Sequence, residues 1–525
     1  MTPTPLPDSP NLEQLKKQAK SLLADARARD RAALTRFAAL PAFASTPIGQ
    51  IDVDELALHD AQSVIAREHG FVSWNALREE VEARTLSPAD AVDEFVRAAT
   101  GGAAGRAERL LALHPSIATA TLHTALVLGH VSEVEARLRA NPALAATAGG
   151  PQAWEPLLYV CHTCLGRGHQ SRMDGLLAIA RQLLSLGANP NAEYHWNWHP
   201  ELPRTALWAA LITMHHIPLA TTLLEAGAQA TDGVTAHIAA GSGNIEALEL
   251  LDRFGFDANG IRGGVPPLVY VLGYSEDPSG PAWLLDHGAD PNLPWGPDNE
   301  APLHVAARRW DVAMVERLVA RGADLSRRRA DGYTAHALAE LHGNRGIAAW
   351  LLAHGAVDEL SPLEHFIAAA ARGDRPAVDA ALRDRPELQH TLTPAHHLML
   401  QRPAETGNAA VLETMLHAGF DPSVKDKDGV TALHRAAMAG HPQAVATLLT
   451  FGAPIDALDG MFSATPLVWA VEGRTHPAPG SDHVAAARVL IDHGSPLEWH
   501  VPPGAPNPER TLDGLRQLRK DAARR

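Results

Sequence analysis

One apolar arrangement recurs along most of the chain. A leucine pair or its equivalent closes a helical stripe, two or so variable positions follow, then a glycine, a small residue and a polar or proline position. Its glycines are Gly187, Gly227, Gly255, Gly288, Gly322, Gly355, Gly419, Gly452 and Gly494, spaced 40, 28, 33, 34, 33, 64, 33 and 42 residues apart. Four of those gaps lie at 33 or 34 and another is nearly twice that, so the pattern is a repeat with insertions. Between successive glycines sits a second, shorter apolar stripe, clearest in Asp428-Gly429-Val430-Thr431-Ala432-Leu433-His434-Arg435-Ala436-Ala437 and echoed in Ala301-Pro302-Leu303-His304-Val305-Ala306-Ala307 and Thr465-Pro466-Leu467. Each period therefore predicts a turn and two short helices.

The local chemistry of one unit agrees with that prediction. Asp-Gly is a tight-turn pair, Thr431 stands where a helix cap belongs, and Pro302 and Pro466 suit a first helical position. Alanine pairs such as Ala306-Ala307 and Ala436-Ala437 permit close helix approach. The glycine after the leucine pair fits a left-handed helix stop. One unit has too little core to fold alone, so units must stack into a solenoid.

The D-G turn, the T-P-L-H-x-A-A string and the later L-L-x-x-G-A-D resemble the ankyrin repeat. Weaker copies at 90–120, 121–148, 361–392 and 395–424 fill the gaps, giving roughly twelve units between about residues 89 and 505. The expected fold is an all-α ankyrin-repeat solenoid, continuous and without an inserted globular domain. Residues 1–88 do not fit the repeat. Leu12, Leu15, Leu22 and Leu23 make a helical stripe from Asn11; a second helix is expected from about Asp54 to His69, and a third from Trp74 with Ser73 as cap. The strings LEQLKKQAKSLLADARARD and HDAQSVIAREHGFVSWNALREEVEA resemble the helical leader of many bacterial ankyrin-repeat proteins. Residues 506–525 predict a C-terminal helix with Leu512, Leu515 and Leu518 on one face, covering the end of the stack.

Composition narrows the function classes. The net charge of −15 argues against nucleic acid or an anionic membrane as the main ligand. Two cysteines, Cys161 and Cys164, exclude a disulfide-stapled fold and point to a reducing, cytoplasmic setting. The N-terminal string lacks signal-peptide character, and no apolar run is long enough to span a bilayer.

Most of the 28 histidines belong to the repeat. His123, His237, His304 and His434 occupy the position that ties adjacent turns together, His130 and His441 follow the mid-repeat glycine, and His287, His354 and His493 precede the helix stop. Cys161-His162-Thr163-Cys164, with His169 nearby, has metal-ligand spacing, but Pro156-Leu157 sets a register that makes Cys161 a small core residue. The stretch 193–201 is the least repeat-like. Glu193, His195 and His199 offer a weak metal set there, while Trp196 and Trp198 suit a partner-binding edge or an internal lid.

In ankyrin proteins, ligand contacts come from finger tips and from the residues after the alanine pair. Carried onto this chain, those positions are His162, Arg308, Arg309, Tyr333, His342, Glu405, Lys427, Met438 and Glu472. The mixture shows no dominant sign and suits a protein or peptide better than a phosphate backbone. No phosphate loop, dinucleotide fingerprint, nucleophile elbow or H-E-x-x-H is present. The expectation is a non-enzymatic scaffold without cofactor. The alternative is an enzyme or metalloprotein in the diverged units at 151–280, drawing on Tyr159, His162, Glu193, His195, His199, Tyr270, Glu276 and Asp277; a third possibility is an exported effector.

Overall fold

A computed structural model describes residues 4–7, 10–43, 46–196, 199–260, 264–474, 480–499 and 501, together with 511, 512, 514, 515 and 518. The chain forms two compact units. One comprises residues 1–239 with 244–257, the other residues 240–243 with 258–525.

The first unit begins with helices Leu12–Arg27, Arg31–Ala38, Leu58–Glu68 and Trp74–Thr85. Leu15, Ala19, Leu22 and Ala26 recur at helical spacing and bury one face of the first helix, against Phe37, Leu56, Val64, Ile65 and Leu77. Ser73 caps the fourth helix by accepting from the Ala76 N–H at 3.2 Å. The third helix starts at Leu58, later than the apolar pattern suggests. Asp52 binds the Asp54 N–H at 3.0 Å, holding a turn there, and the Asp60 carboxylate satisfies the Ala57 N–H at 3.0 Å, so the helix nucleates after both. His114 Nε2 lies 3.1 Å from the Ala83 carbonyl and joins these helices to the first repeat.

Helix pairs then follow in the first unit: Pro88–Thr100 with Ala104–Leu113, Leu122–Leu128 with Val131–Ala140, and Pro156–His162 with Gln170–Ser185. The pair approach is tight enough that a Cβ on Gly175 would lie 2.2 Å from the Gly129 carbonyl oxygen, so only glycine fits there. The irregular stretch is a finger. Strand β1, Glu193–Trp196, pairs antiparallel with β2, His199–Thr205, and a register irregularity falls at His195/Trp196. Beyond it the helix Ala206–Trp208 runs into a π turn, Ala209–Thr213.

The second unit repeats the pair from Pro267–Tyr274 with Ser279–Asp286 through to Pro466–Gly473 with His483–Asp492. Its core runs through the alanine and leucine pairs: Ala436, Ala437, Leu448, Leu467 and Leu490 are all fully buried. Leu515 and Leu518 are buried in the same core, while Leu512 is half-buried.

Histidine sews one turn to the next. His434 is 0% exposed; its Nδ1 accepts from the Thr431 N–H at 3.2 Å, and Nε2 donates to the Ala464 carbonyl at 3.1 Å. His304 does the same with the Ala301 N–H at 3.1 Å and the Arg327 carbonyl at 2.9 Å. His396 likewise accepts from the Thr393 N–H at 3.1 Å, so a unit whose sequence is weak keeps the local half of the device. Thr431 thus caps by position alone: its hydroxyl lies 2.9 Å from His434 Nδ1 instead of accepting from the helix backbone. His287 and His354 close their helices by bonding Nδ1 to the carbonyl four residues back, at 2.8 and 2.7 Å, while stacking on Trp283 and Trp350.

An asparagine ladder links the fingers. Asn259 donates to the Gly288 carbonyl at 2.9 Å and accepts from the Asp290 N–H at 2.7 Å; Asn292 repeats this with Gly322 and Asp324, both at 2.8 Å. Asn191 makes the equivalent pair with Gly227 and Gln229 in the first unit.

Candidate functional site

The C-terminal ends of successive first helices in the second unit converge on one groove. Arg308 and Arg309 end the helix Pro302–Arg309, His342 closes Ala335–Leu341, and Arg402 and Glu405 come from Gln401–Glu405. The alanine pairs bring those helices close, and carbonyls at helix C-termini favour cationic side chains. Two adjoining hollows result, of about 300 and 480 Å³. They share Arg308, Arg309, His342, Met399 and Arg402. The smaller is floored by Leu341, Met399, Val411 and Met415; Tyr274, Gln401, Glu405 and Arg435 extend the larger.

The groove carries a sign that its sequence positions did not show. Arg308, Arg309, Arg402 and Arg435 line it, against Glu405 as the carboxylate among the lining residues. Behind the rim, Glu300 accepts from Arg308 at 2.5 Å and from Arg329 at 2.8 Å, and Arg329 also meets Asp331 at 2.8 Å. Burial lowers the Arg308 pKa from its ordinary value, Glu300 opposes that shift, and the neighbouring Arg329 and Arg309 add to it. Its Nε is buried without an acceptor. Arg402 pairs with Glu405 at 3.2 Å and Arg435 with Asp426 at 3.3 Å. Arg309 is exposed, and among the described residues no carboxylate stands within ion-pair distance of it. The half-buried His342 imidazole is pushed down to about 3, first by burial and then by Arg308, Arg329 and Arg402, so it is neutral near pH 7.

The structure thus gathers Arg308, Arg309, His342 and Glu405 and adds Arg402, Arg435, Met399 and Tyr274, which the sequence reading did not select. Arg435 precedes its alanine pair instead of following it, and Arg402 lies in a unit without a recognisable alanine pair; a search for arginine within one helical turn of each pair finds the first of them. The expectation of no dominant sign is corrected here, because residues of mixed sign along the chain need not stay mixed in space. The other groove positions lie elsewhere. Tyr333 is a half-buried finger residue whose phenol is pushed up to about 12, chiefly by burial and then by Glu364. Lys427 is 90% exposed on a finger beside Asp428, Met438 is exposed near a helix end, and Glu472 is half-buried.

His162 is corrected outright. It is 4% exposed, enclosed by Trp154 at 5.5 Å, Tyr194 at 5.1 Å and Trp208 at 5.9 Å between ring centres. Tyr194 stacks on Trp154 at 4.2 Å, and Arg204 caps Trp208 at 4.3 Å. The finger strands carry Tyr194 and Arg204 opposite each other, which closes the cluster. Burial pushes the His162 imidazole down to about 3, a hydrogen bond to the Thr205 backbone opposes it and Arg204 adds to it. Beside it, Tyr159 donates to the Gly149 carbonyl at 2.7 Å and accepts from the Gln152 N–H at 3.1 Å.

Cys161 is fully buried and both cysteines are free; burial pushes both thiols up, away from the thiolate a metal or a nucleophilic reaction needs. His195 stands 3.7 Å from Glu193 on β1. The side chains of Trp196 and His199, and the whole of Trp198, lie outside the described residues. Among the described residues, no three His, Cys, Asp or Glu side chains gather as a metal site would require. Tyr159, His162, Glu193 and His195 fall in the first unit, Tyr270, Glu276 and Asp277 in the second. Tyr270 packs on Tyr274 at 4.9 Å, and the Asp277 carboxyl is held below its usual range by hydrogen bonds from Ser279.

This class of architecture, stacked helix pairs with finger turns and histidine ties, is an all-α ankyrin-repeat solenoid. The chain carries ankyrin repeats: a family model of ankyrin repeats in three copies matches residues 398–498, and a single ankyrin repeat matches 298–329. The chain is 31% identical over 139 residues to Protein PhlB of Serratia liquefaciens, covering 25% of this chain and 58% of that one. It is 32% identical over 101 residues to the B-cell lymphoma 3 protein homolog of Mus musculus, covering 19% of this chain and 21% of the relative. The matches therefore span less than two thirds of either relative. The crystal structure of the ankyrin repeat domain of Bcl-3 is similar at 18% identity and a TM-score of 0.23, covering 49% of this chain and 97% of that one.

Proposed function

We propose that the protein is a non-enzymatic scaffold that captures a protein partner along the concave groove of its second unit. The observation that carries this reading is the groove itself: successive repeats each contribute the end of one helix to two adjoining hollows with polar rims and an apolar floor. Ankyrin repeats generally mediate protein–protein interaction, and the groove positions expected from that resemblance, Arg308, Arg309, His342 and Glu405, are among its lining. Two free cysteines with protonated thiols suit a reducing cytoplasm. Among the described residues no helix is long and apolar enough to cross a membrane.

The test is site-specific photo-crosslinking in the native lysate. A crosslinker replacing Arg309 is expected to trap a discrete protein, and one replacing Glu413, on an exposed second-helix position, is not. Capture of the same protein from Glu413 alone would place binding on another face and overturn the reading.

A further inference from the structure

We propose that the groove recognises an acidic peptide segment: one apolar side chain enters the hollow floored by Leu341, Met399, Val411 and Met415, and flanking carboxylates meet Arg308, Arg309 and Arg402. This rests on the concave-face reading above and specifies the chemistry of its partner.

The charge pattern is the first reason. The chain as a whole carries −15, yet four guanidinium groups and a single carboxylate line these hollows. Such a concentration of like charge opposes itself unless something neutralises it. Internal carboxylates do so incompletely. Glu300 is shared between Arg308 and Arg329, Arg402 has only the exposed Glu405, and Arg309 has no carboxylate at ion-pair distance among the described residues. The second reason is an unmet donor. Arg308 Nε is buried without an acceptor, and guanidinium groups pair with carboxylates through two parallel hydrogen bonds. His342 adds no charge to the rim, so its neutral ring can donate to a peptide carbonyl or accept from an amide between the guanidinium groups.

The floor selects a peptide over a bare anion. Met399 and Val411 offer half-buried apolar surface over the buried Met415, and a hollow of about 300 Å³ holds one large side chain. A long polyanion such as nucleic acid would gain these few arginines while lying along a protein of opposite preference.

The experiment uses the full chain and fluorescein-labelled ten-residue peptides whose charge is varied independently of a central Leu or Phe, read by anisotropy. Peptides with Asp or Glu on both sides of the apolar residue are expected to bind best. Replacing those acids by Asn or Gln, or making Arg309→Ala with Arg402→Ala, should each weaken binding about tenfold or more, and the two losses should not add. Raising salt from about 50 to about 500 mM should weaken the acidic peptide selectively. Unchanged melting of the double variant confirms that the fold is kept.

If neutral or basic peptides bind as tightly and Met399→Asp abolishes their binding, the groove is a partner site but the acidic specificity is wrong. If no peptide of any charge responds to either variant, the acidic inference fails and the concave-face reading fails with it. Displacement of the acidic peptide by inorganic phosphate at low millimolar concentration would mark a small-anion site and overturn the peptide assignment.

Discussion

The region around His162 and the region around His342 start from the same place in the repeat, the end of a first helix, and arrive at opposite chemistry. At His162 the β-finger supplies Tyr194 and Arg204, Trp154 and Trp208 complete the enclosure, and the imidazole is sealed among aromatic rings. At His342 no long finger intervenes; short turns leave the helix ends open, and arginines from neighbouring units surround the ring. Both imidazoles are pushed down to about 3, one inside an aromatic cluster, the other with cationic neighbours assisting burial. A depressed histidine therefore marks neither region as catalytic. What separates them is access, and access is decided by the length and composition of the finger.

Acid should produce the largest effect. His162, His342, His304 and His434 all titrate below their ordinary value because burial disfavours the charged ring. The unfolded chain protonates these histidines near pH 6.5, so it binds more protons than the folded chain below that point. Their stability contribution is complete above about pH 6.5 and falls as pH drops toward the folded values. Melting followed by circular dichroism should shift clearly downward between about pH 7.5 and about pH 5; a flat profile would mean that the rings are solvated.

Tyr159→Ala comes next. The ring is fully buried and its hydroxyl is hydrogen-bonded, so its loss should cost about 3–5 kcal/mol in chemical denaturation. Groove binding measured below the transition should persist, separating a packed aromatic region from a binding one. His434→Ala should cost roughly 1–3 kcal/mol, because the Thr431 N–H and Ala464 carbonyl lose their partner. Unchanged stability with abolished binding would move His434 from the fold to the function. Asn292→Ala should cost about 1 kcal/mol and speed amide exchange at Asp324, whose N–H it holds at 2.8 Å; unaltered exchange would show that the ladder is incidental. Arg309→Ala should change stability by less than about 0.5 kcal/mol, since the side chain is exposed, while it weakens peptide binding. A large loss of melting temperature would make Arg309 a structural residue.

What the sequence by itself determined was periodic and local. The spacing of Gly288, Gly322 and Gly355, the alanine pairs and the proline starts follow from chemistry within a few residues and resurface as helix pairs, with histidine ties at His304 and His434. Of the leucine stripe read from Asn11 onward, Leu15 and Leu22 are buried, while Ala19 and Ala26 take the rest of that face and Leu12 and Leu23 are half-buried. What only the tertiary structure decided was which of the non-repeating side chains meet. Arg309, Arg402 and Arg435 are separated by 93 and 33 residues in sequence and share a groove because stacking sets the first helices of neighbouring units side by side. His162 holds a groove position by register, yet Tyr194 and Arg204 reach it from a finger more than thirty residues on, and alternation along a short strand does not announce its target. Repeat chemistry sets the frame locally; burial, charge and access at the groove are sums over neighbours that adjoin only when the frame is stacked.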